Sequence, residues 1–133
     1  HTWRETPTGR LAEIIILDQF SRNMFRDTPQ AFAADSMALT LAQEAIHSKI
    51  DTQLTLPQRA YLYMPYMHSE SKKIHENAIV LYAAKGLEEN YAYEAKHKVI
   101  IDRFGRYPHR NAILNRSSTA EELVFLQQSN SHF

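Results

Sequence analysis

The chain has 133 residues, close to the usual size of one domain. It is 44% hydrophobic and 23% charged, a composition that can bury a core and does not fit a disordered chain. Fifteen Lys and Arg balance fifteen Asp and Glu, so no global charge draws the chain to nucleic acid or anionic lipid; the absence of cysteine removes disulfides, thiol nucleophiles and thiolate metal sites, and fits a reducing, cytoplasmic setting.

Three Gly and five Pro fall between periodic stretches, the punctuation of a helical protein. Thr6-Pro7 predicts the cap and first position of a helix running to about Arg22. Beyond Thr28-Pro29 a second helix is expected from about Gln30 to Ile50, with Phe32, Met37, Leu41 and Ala45 in its apolar stripe. Thr55-Leu56-Pro57 opens a short third helix that Pro65 should stop near Met64. Ser69 is the expected cap of a fourth, ending at Gly86, and a fifth follows from Leu87 to Phe104, closed by Gly105. Ser118 and Glu121 make a capping-box pattern for a last helix through Leu126.

The expected fold is therefore all-α, about six helices stacked as antiparallel hairpins in a single domain spanning residues 1–133. No stretch approaches the ~20 apolar residues of a bilayer-spanning helix, and no signal peptide is visible, so no membrane association is expected. The first residue is His1 rather than Met, which suggests a fragment of a longer chain.

Three places break the pattern. In the first helix, Leu11, Ile14, Ile15, Asp18 and Arg22 share one face, so an acid and a base continue an apolar stripe. Ile16 and Phe20 cover the other side, and the helix reads as buried nearly all round. Asp18 and Arg22 then form an internal ion pair, which would cost ~3–5 kcal/mol to break. Alternatively Arg22, Asn23 and Arg26 hold an anionic ligand at the helix end.

The second place is the long segment Gly105-Arg106-Tyr107-Pro108-His109-Arg110-Asn111 and the residues up to Ser117. From Lys96 to Arg116 six basic residues (Lys96, Lys98, Arg103, Arg106, Arg110, Arg116) oppose one acid, Asp102, a local charge of +5. Arg suits carboxylate or phosphate, Asn adds a directed donor, and His moves protons near neutral pH. A solvated helix face followed by a capping loop explains the same residues. Nucleic acid is disfavoured, because the patch is short and carries no reading motif.

The third is His68-Ser69-Glu70, where helix-start chemistry and a general base or metal site compete. His75 and His97 lie among apolar neighbours and read as core or boundary histidines. No two histidines have the four-residue spacing of a helical zinc site. No Gly-rich phosphate loop, nucleophile elbow or kinase signature is present, and neither a cofactor nor a metal is expected.

These same strings carry a resemblance. Leu17-Asp18-Gln19-Phe20-Ser21-Arg22-Asn23 with Phe25-Arg26, His68-Ser69-Glu70, and Phe104-Gly105 through Asn111 are similar to an uncharacterised, mainly bacterial family, domain of unknown function 924. The resemblance covers nearly the whole chain. Ser21 stands where the family pattern has Pro, and the family's Trp- and Phe-rich N-terminal segment is missing here. The resemblance implies a tetratricopeptide-like right-handed helical array and no established activity.

Two functions compete. One is a binding module whose polar pocket takes an anionic small molecule or a peptide or protein partner through Asp18, Gln19, Arg22, Asn23, Arg26, Arg106, Arg110 and Asn111. The other is a small enzyme with His109 or His68 as proton carrier, oriented by Glu70 or Asp18. Both require Arg22, His68 and Arg110 to converge.

Overall fold

The computed structural model describes residues 2–129 and 131, all of them in helices, turns and irregular connections with no strand. The chain is all-α, as the periodicity predicts. Helix α1 (Pro7–Ile15) begins where expected, with the Thr6 side chain accepting from the Gly9 amide at 3.0 Å and Pro7 in the first turn. It continues through a π-helical turn at Ile16–Phe20 into α2 (Ser21–Met24). The expected burial of this helix all round is corrected. Leu11, Ile14 and Asp18 are buried, but Ile16 is 39% and Phe20 53% exposed. Only one face of the helix has neighbours to pack against.

The expected second helix starts later. Pro29–Phe32 forms a separate 3-10 turn, α3 covers Asp35–His47, and a further 3-10 turn follows at Ile50–Gln53. The buried stripe of α3 is Ala38, Ala42 and Ala45, with Leu41 packed beside the core; Ala45 and Leu41 lie inward as expected, but Met37 is 58% exposed. Breaking the helix between Phe32 and Asp35 removes Phe32 from its phase, and the small alanines let α3 lie close against α1 and α5.

Thr55 and Gln58 cap each other at the start of α4 (Leu56–Leu62). Pro65 does more than stop that helix, since it sits in the first turn of α5 (Met64–His68), where its missing N–H costs nothing. The cap of α6 (Lys72–Leu81) is Ser71, whose side chain accepts from the Ile74 amide, and not Ser69. Helix α7 (Glu88–Phe104) ends at Gly105, whose φ of 69° is the left-handed conformation that glycine adopts without a steric penalty. Helix α8 (Ala120–Leu126) is capped by Thr119 and Glu122, one residue beyond the expected Ser118 and Glu121.

Helices α6 and α7 form an antiparallel hairpin. His75 and Glu94, equally far from the turn between them, meet at 2.7 Å. The main core joins Leu11 and Ile14 of α1 to Ala42 and Ala45 of α3, Leu62 of α4, Tyr66 and Met67 of α5, and Ala78 and Tyr82 at the end of α6. A smaller cluster of Ile100, Ile101, Tyr107 and Phe125 ties α7 to α8. Tyr107 bridges the two, donating its hydroxyl to the Met67 carbonyl. Where the two cores meet, the polar residues gather.

The segment after Gly105 is not an irregular loop. It holds a 3-10 turn at Pro108–Arg110 and is braced from within. Asn111 donates to Glu122 at 2.6 Å and to Ser118 at 3.0 Å, and Arg116 donates to the Asn111 side chain at 3.0 Å. The basic run also divides: Lys98 pairs with Asp102, Arg116 pairs with Glu70, and Arg110 turns inward.

Candidate functional site

Three elements end at one place: α2 with Arg22, α5 with His68, and the 3-10 turn with Arg110. Each is aimed by local sequence. Tyr107 precedes Pro108 and takes the extended backbone (φ −93°, ψ 106°) that a following proline favours, so the chain turns inward and carries Arg110 with it. Met64-Pro65 starts the short helix that leaves His68 at its last position. A cavity of about 690 Å³ opens among Arg22, Asn23, Arg26, Phe32, His68 and Arg110, with His97, Tyr107 and His109 completing its wall.

Arg22 and Arg110 are held differently. Arg22 donates through both terminal nitrogens to Asp35, each at 2.8 Å, and through Nη1 to the Asp18 carboxylate and carbonyl at 3.1 Å. Arg110 is 7% exposed, with its guanidinium 4.4 Å from the Phe32 ring centre and 4.8 Å from that of Tyr107. Such stacking contributes ~0.5–2 kcal/mol per ring when desolvated. Its one short hydrogen bond runs from Nη2 to the His68 carbonyl at 2.9 Å, and Asp35 and Glu70 each stand 3.9 Å from Nη1. Its Nε is buried with no partner among the described residues. Burial, then the neighbouring Arg22 charge, lower the Arg110 pKa, against the pull of Glu70 and Asp35. Arg26, exposed at the rim, makes no ion pair among the described residues. Three arginines against Asp27 leave the lining with a formal excess of positive charge.

Behind His68 lies Asp18, 1% exposed, with Oδ1 2.8 Å from His68 Nδ1 and Oδ2 accepting from the Gln19 amide at 2.6 Å. Burial alone would raise its carboxyl pKa; His68, Arg22 and Gln19 outweigh that and hold it below the usual range. His68 moves the other way. Burial lowers its pKa most, Asp18 pulls it back, and Arg22 and Arg110 lower it again.

The structure thus brings Arg22, Asn23, Arg26, His68, His109 and Arg110 to one cavity. Asp18 and Gln19 stand behind that wall. Glu70 borders a smaller neighbouring cavity of about 210 Å³, where Arg116 holds it at 2.9 and 3.0 Å and the Tyr107 amide donates to it at 2.7 Å. Neither Arg106 nor Asn111 lines either cavity, and the Asn111 side chain is fully engaged in bracing the loop. No group of three or more His, Asp or Glu among the described residues is placed to hold a metal ion.

Sequence reasoning missed Asp35, Phe32 and the role of His97. Asp35 looks like ordinary first-turn chemistry, and nothing local ties it to Arg22 thirteen residues earlier. His97 donates Nδ1–H to the Tyr93 carbonyl at 2.6 Å and packs edge-on against Tyr107. Burial depresses its pKa to about 4, so it is a neutral imidazole at pH 7. The buried Glu94–His75 pair was missed too, although its signal was available: Glu94, His97 and Ile101 share one face of α7, a charge in an apolar stripe like Asp18 in the π-helical turn after α1.

Fold and cavity together define a small all-α protein with arginines around one polar cavity. A family model described as "Bacterial protein of unknown function (DUF924)" matches residues 1–130, and the chain belongs to that family. A solved protein of unknown function from Agrobacterium tumefaciens is 36% identical and superimposes with a TM-score of 0.90, over 96% of this chain and 72% of that one. No curated protein matches the chain. No helix among the described residues is long and apolar enough to cross a membrane.

Proposed function

We propose that the cavity binds an anion, a carboxylate or phosphate group of a small molecule or of an acidic peptide, and that the protein is a binding module built around it. One observation carries this reading: the Arg110 guanidinium is buried beside the cavity with its Nε unpartnered and its nearest carboxylates 3.9 Å away. A buried donor without a partner is destabilising by ~1–3 kcal/mol, and an anion in the cavity would offset the cost of burying this cation. Arg22 is already paired in bidentate fashion with Asp35 and adds field more than free donors. Arg26 at the rim adds a second free cation. A volume near 690 Å³ suits a small ligand. The reading includes a cytoplasmic setting and, by analogy of fold, a tetratricopeptide-like stacking of the helices.

Calorimetric titration with inorganic phosphate, citrate and a short Asp/Glu peptide tests the proposal. At least one should bind the wild-type chain and bind Arg110→Met about a hundredfold more weakly. Thermal stability should rise with the same ligand, by ~2.7 kcal/mol at a hundredfold excess over Kd. Silence from all three anions, or equal binding by Arg110→Met, would remove the reading.

A further inference from the structure

Two histidine–carboxylate pairs sit within the same fold, and they are not used alike. His75 is fully buried, with Nδ1 on Glu94 at 2.7 Å and Nε2 on the Ser69 carbonyl at 2.7 Å, so both ring nitrogens are engaged inside the protein. His68 has Nδ1 on Asp18 at 2.8 Å, but Nε2 makes no hydrogen bond among the described residues, 18% of the side chain remains exposed, and the ring lines the cavity.

The protonation states follow from the partners. Asp18 accepts from Arg22, Gln19 and His68 and is therefore a carboxylate, so the proton between it and His68 resides on Nδ1. That fixes the tautomer and leaves the lone pair on Nε2, the arrangement in which a buried acid orients an imidazole as a general base. The charged and titratable groups around the ring are Asp18 and Arg22 from the first helix, Asp35 at the start of α3, Glu70 beyond α5 and Arg110 from the 3-10 turn, with Arg26, Asp27, His97, Tyr107 and His109 also on the cavity wall. Arg22 Nη1 shares the same Asp18 oxygen, and Arg110 Nη2 holds the carbonyl of His68 itself, so two guanidiniums flank the base.

We propose that Asp18 and His68 form a proton-transfer couple, and that the cavity hydrolyses a small ester whose anionic group lies against Arg110 and Arg26, in the field of Arg22. The proposal rests on the anion site described above. Water supplies the nucleophile. Its oxygen bonds to the carbon or phosphorus of the ester as His68 Nε2 takes its proton. The bond to the leaving oxygen breaks, and the proton on Nε2 passes to that oxygen, releasing an acid and an alcohol. Asp18 stays ionised throughout and acts through His68 as a positioning residue. The arginines stabilise the charge that builds on the attacked centre.

The test uses two probes, 4-nitrophenyl phosphate and 4-nitrophenyl succinate, which separate phosphorus from carbon as the attacked atom. His68→Asn retains a donor for Asp18 and removes Nε2. Wild type should release 4-nitrophenol from at least one probe, with a rate that rises with pH as His68 deprotonates. His68→Asn should fall by ~10²–10⁴-fold, while its affinity for inorganic phosphate stays within about threefold. Because Asp18→Asn removes a buried charge and can unfold the chain, diethyl pyrocarbonate gives a second readout on the wild-type protein. Nε2 attacks that reagent, so His68 should be modified faster than His75 and be protected by phosphate. Release no faster than that of His68→Asn on both probes, or modification no faster than at His75, overturns the couple. If phosphate still binds in that case, the anion site stands and only the catalytic inference fails; if phosphate does not bind wild type, the anion site fails first.

Discussion

Arg110 and Arg116 lie six residues apart on one segment and show two ways to keep a guanidinium inside a fold. Arg116 is a quarter exposed and fully engaged: two bonds to Glu70, one to Asn111, one to the Tyr107 carbonyl. Arg110 is nearly buried, stacked between two rings, with one short hydrogen bond and an unpartnered Nε. The first is architecture, since its donors tie the loop to itself and to Glu70, just beyond α5. The second is a cation kept in place by aromatic faces, which hold it without saturating its donors. Burial by itself therefore does not separate a structural charge from a functional one; donor satisfaction does.

The largest effect that sharpens the comparison is a pH response. His97 packs on Tyr107, the ring that also stacks on Arg110, and its folded pKa of about 4 lies below the unfolded value near 6.5. The stability it contributes is complete above pH 6.5 and is lost as pH falls toward 4. Each unit is worth ~1.4 kcal/mol, so the loss is on the order of 3 kcal/mol. Arg110 is one of the charges that depress His97. Arg110→Met should therefore move the His97 titration, followed by NMR, back toward 6.5, and Arg116→Met should leave it in place. Equal shifts in the two variants would erase the distinction.

Next comes ligand affinity. A hundredfold loss for Arg110→Met corresponds to ~2.7 kcal/mol, whereas Arg116→Met should keep the anion affinity within about threefold. Stability should order the other way. Arg116→Met strands Glu70, whose carboxyl pKa burial would raise and which Arg116, the Tyr107 amide and Arg110 hold low. Breaking such a pair costs ~3–5 kcal/mol when fully buried; with both side chains about a quarter exposed, about 2 kcal/mol is expected in urea unfolding. Arg110→Met should cost less than 1 kcal/mol, because methionine fills the slot between Phe32 and Tyr107 and removes the orphaned donor.

Much of this frame was legible in the sequence, and the reasons are local. Thr6-Pro7, Thr55-Leu56-Pro57 and Gly105 mark helix ends through contacts within a few residues, so the chain itself announces them. Asp18 and Arg22 stood out as charges inside an apolar stripe. Asp35 and Phe32 did not, since their partners lie far along the chain: Asp35 looks like ordinary first-turn chemistry, and Phe32 reads as one more member of an apolar helix stripe. Exposure was harder: Ile16, Phe20 and Met37 have the right chemistry for a core, but no neighbouring element covers them. The caps at Ser71 and Thr119 were misplaced by one or two residues because Ser and Thr recur there. Only the reach of a side-chain oxygen to the right amide decides among them.

That last ambiguity yields the smallest prediction and a control on the whole comparison. Thr119 accepts from the Glu122 amide at 3.1 Å, and Glu122 returns one oxygen to the Thr119 amide while the other holds Asn111 at 2.6 Å. Thr119→Ala should lower stability in urea by ~1 kcal/mol, the ordinary cost of a lost cap. Glu122 also anchors the loop that presents Arg110, so the loosened cap lies one residue contact from the cavity segment. If stacking between Phe32 and Tyr107 is what positions Arg110, anion affinity in Thr119→Ala stays within twofold of wild type. If affinity falls in step with stability, the loop brace and the cavity are one cooperative unit, and Arg110 and Arg116 belong to the same device.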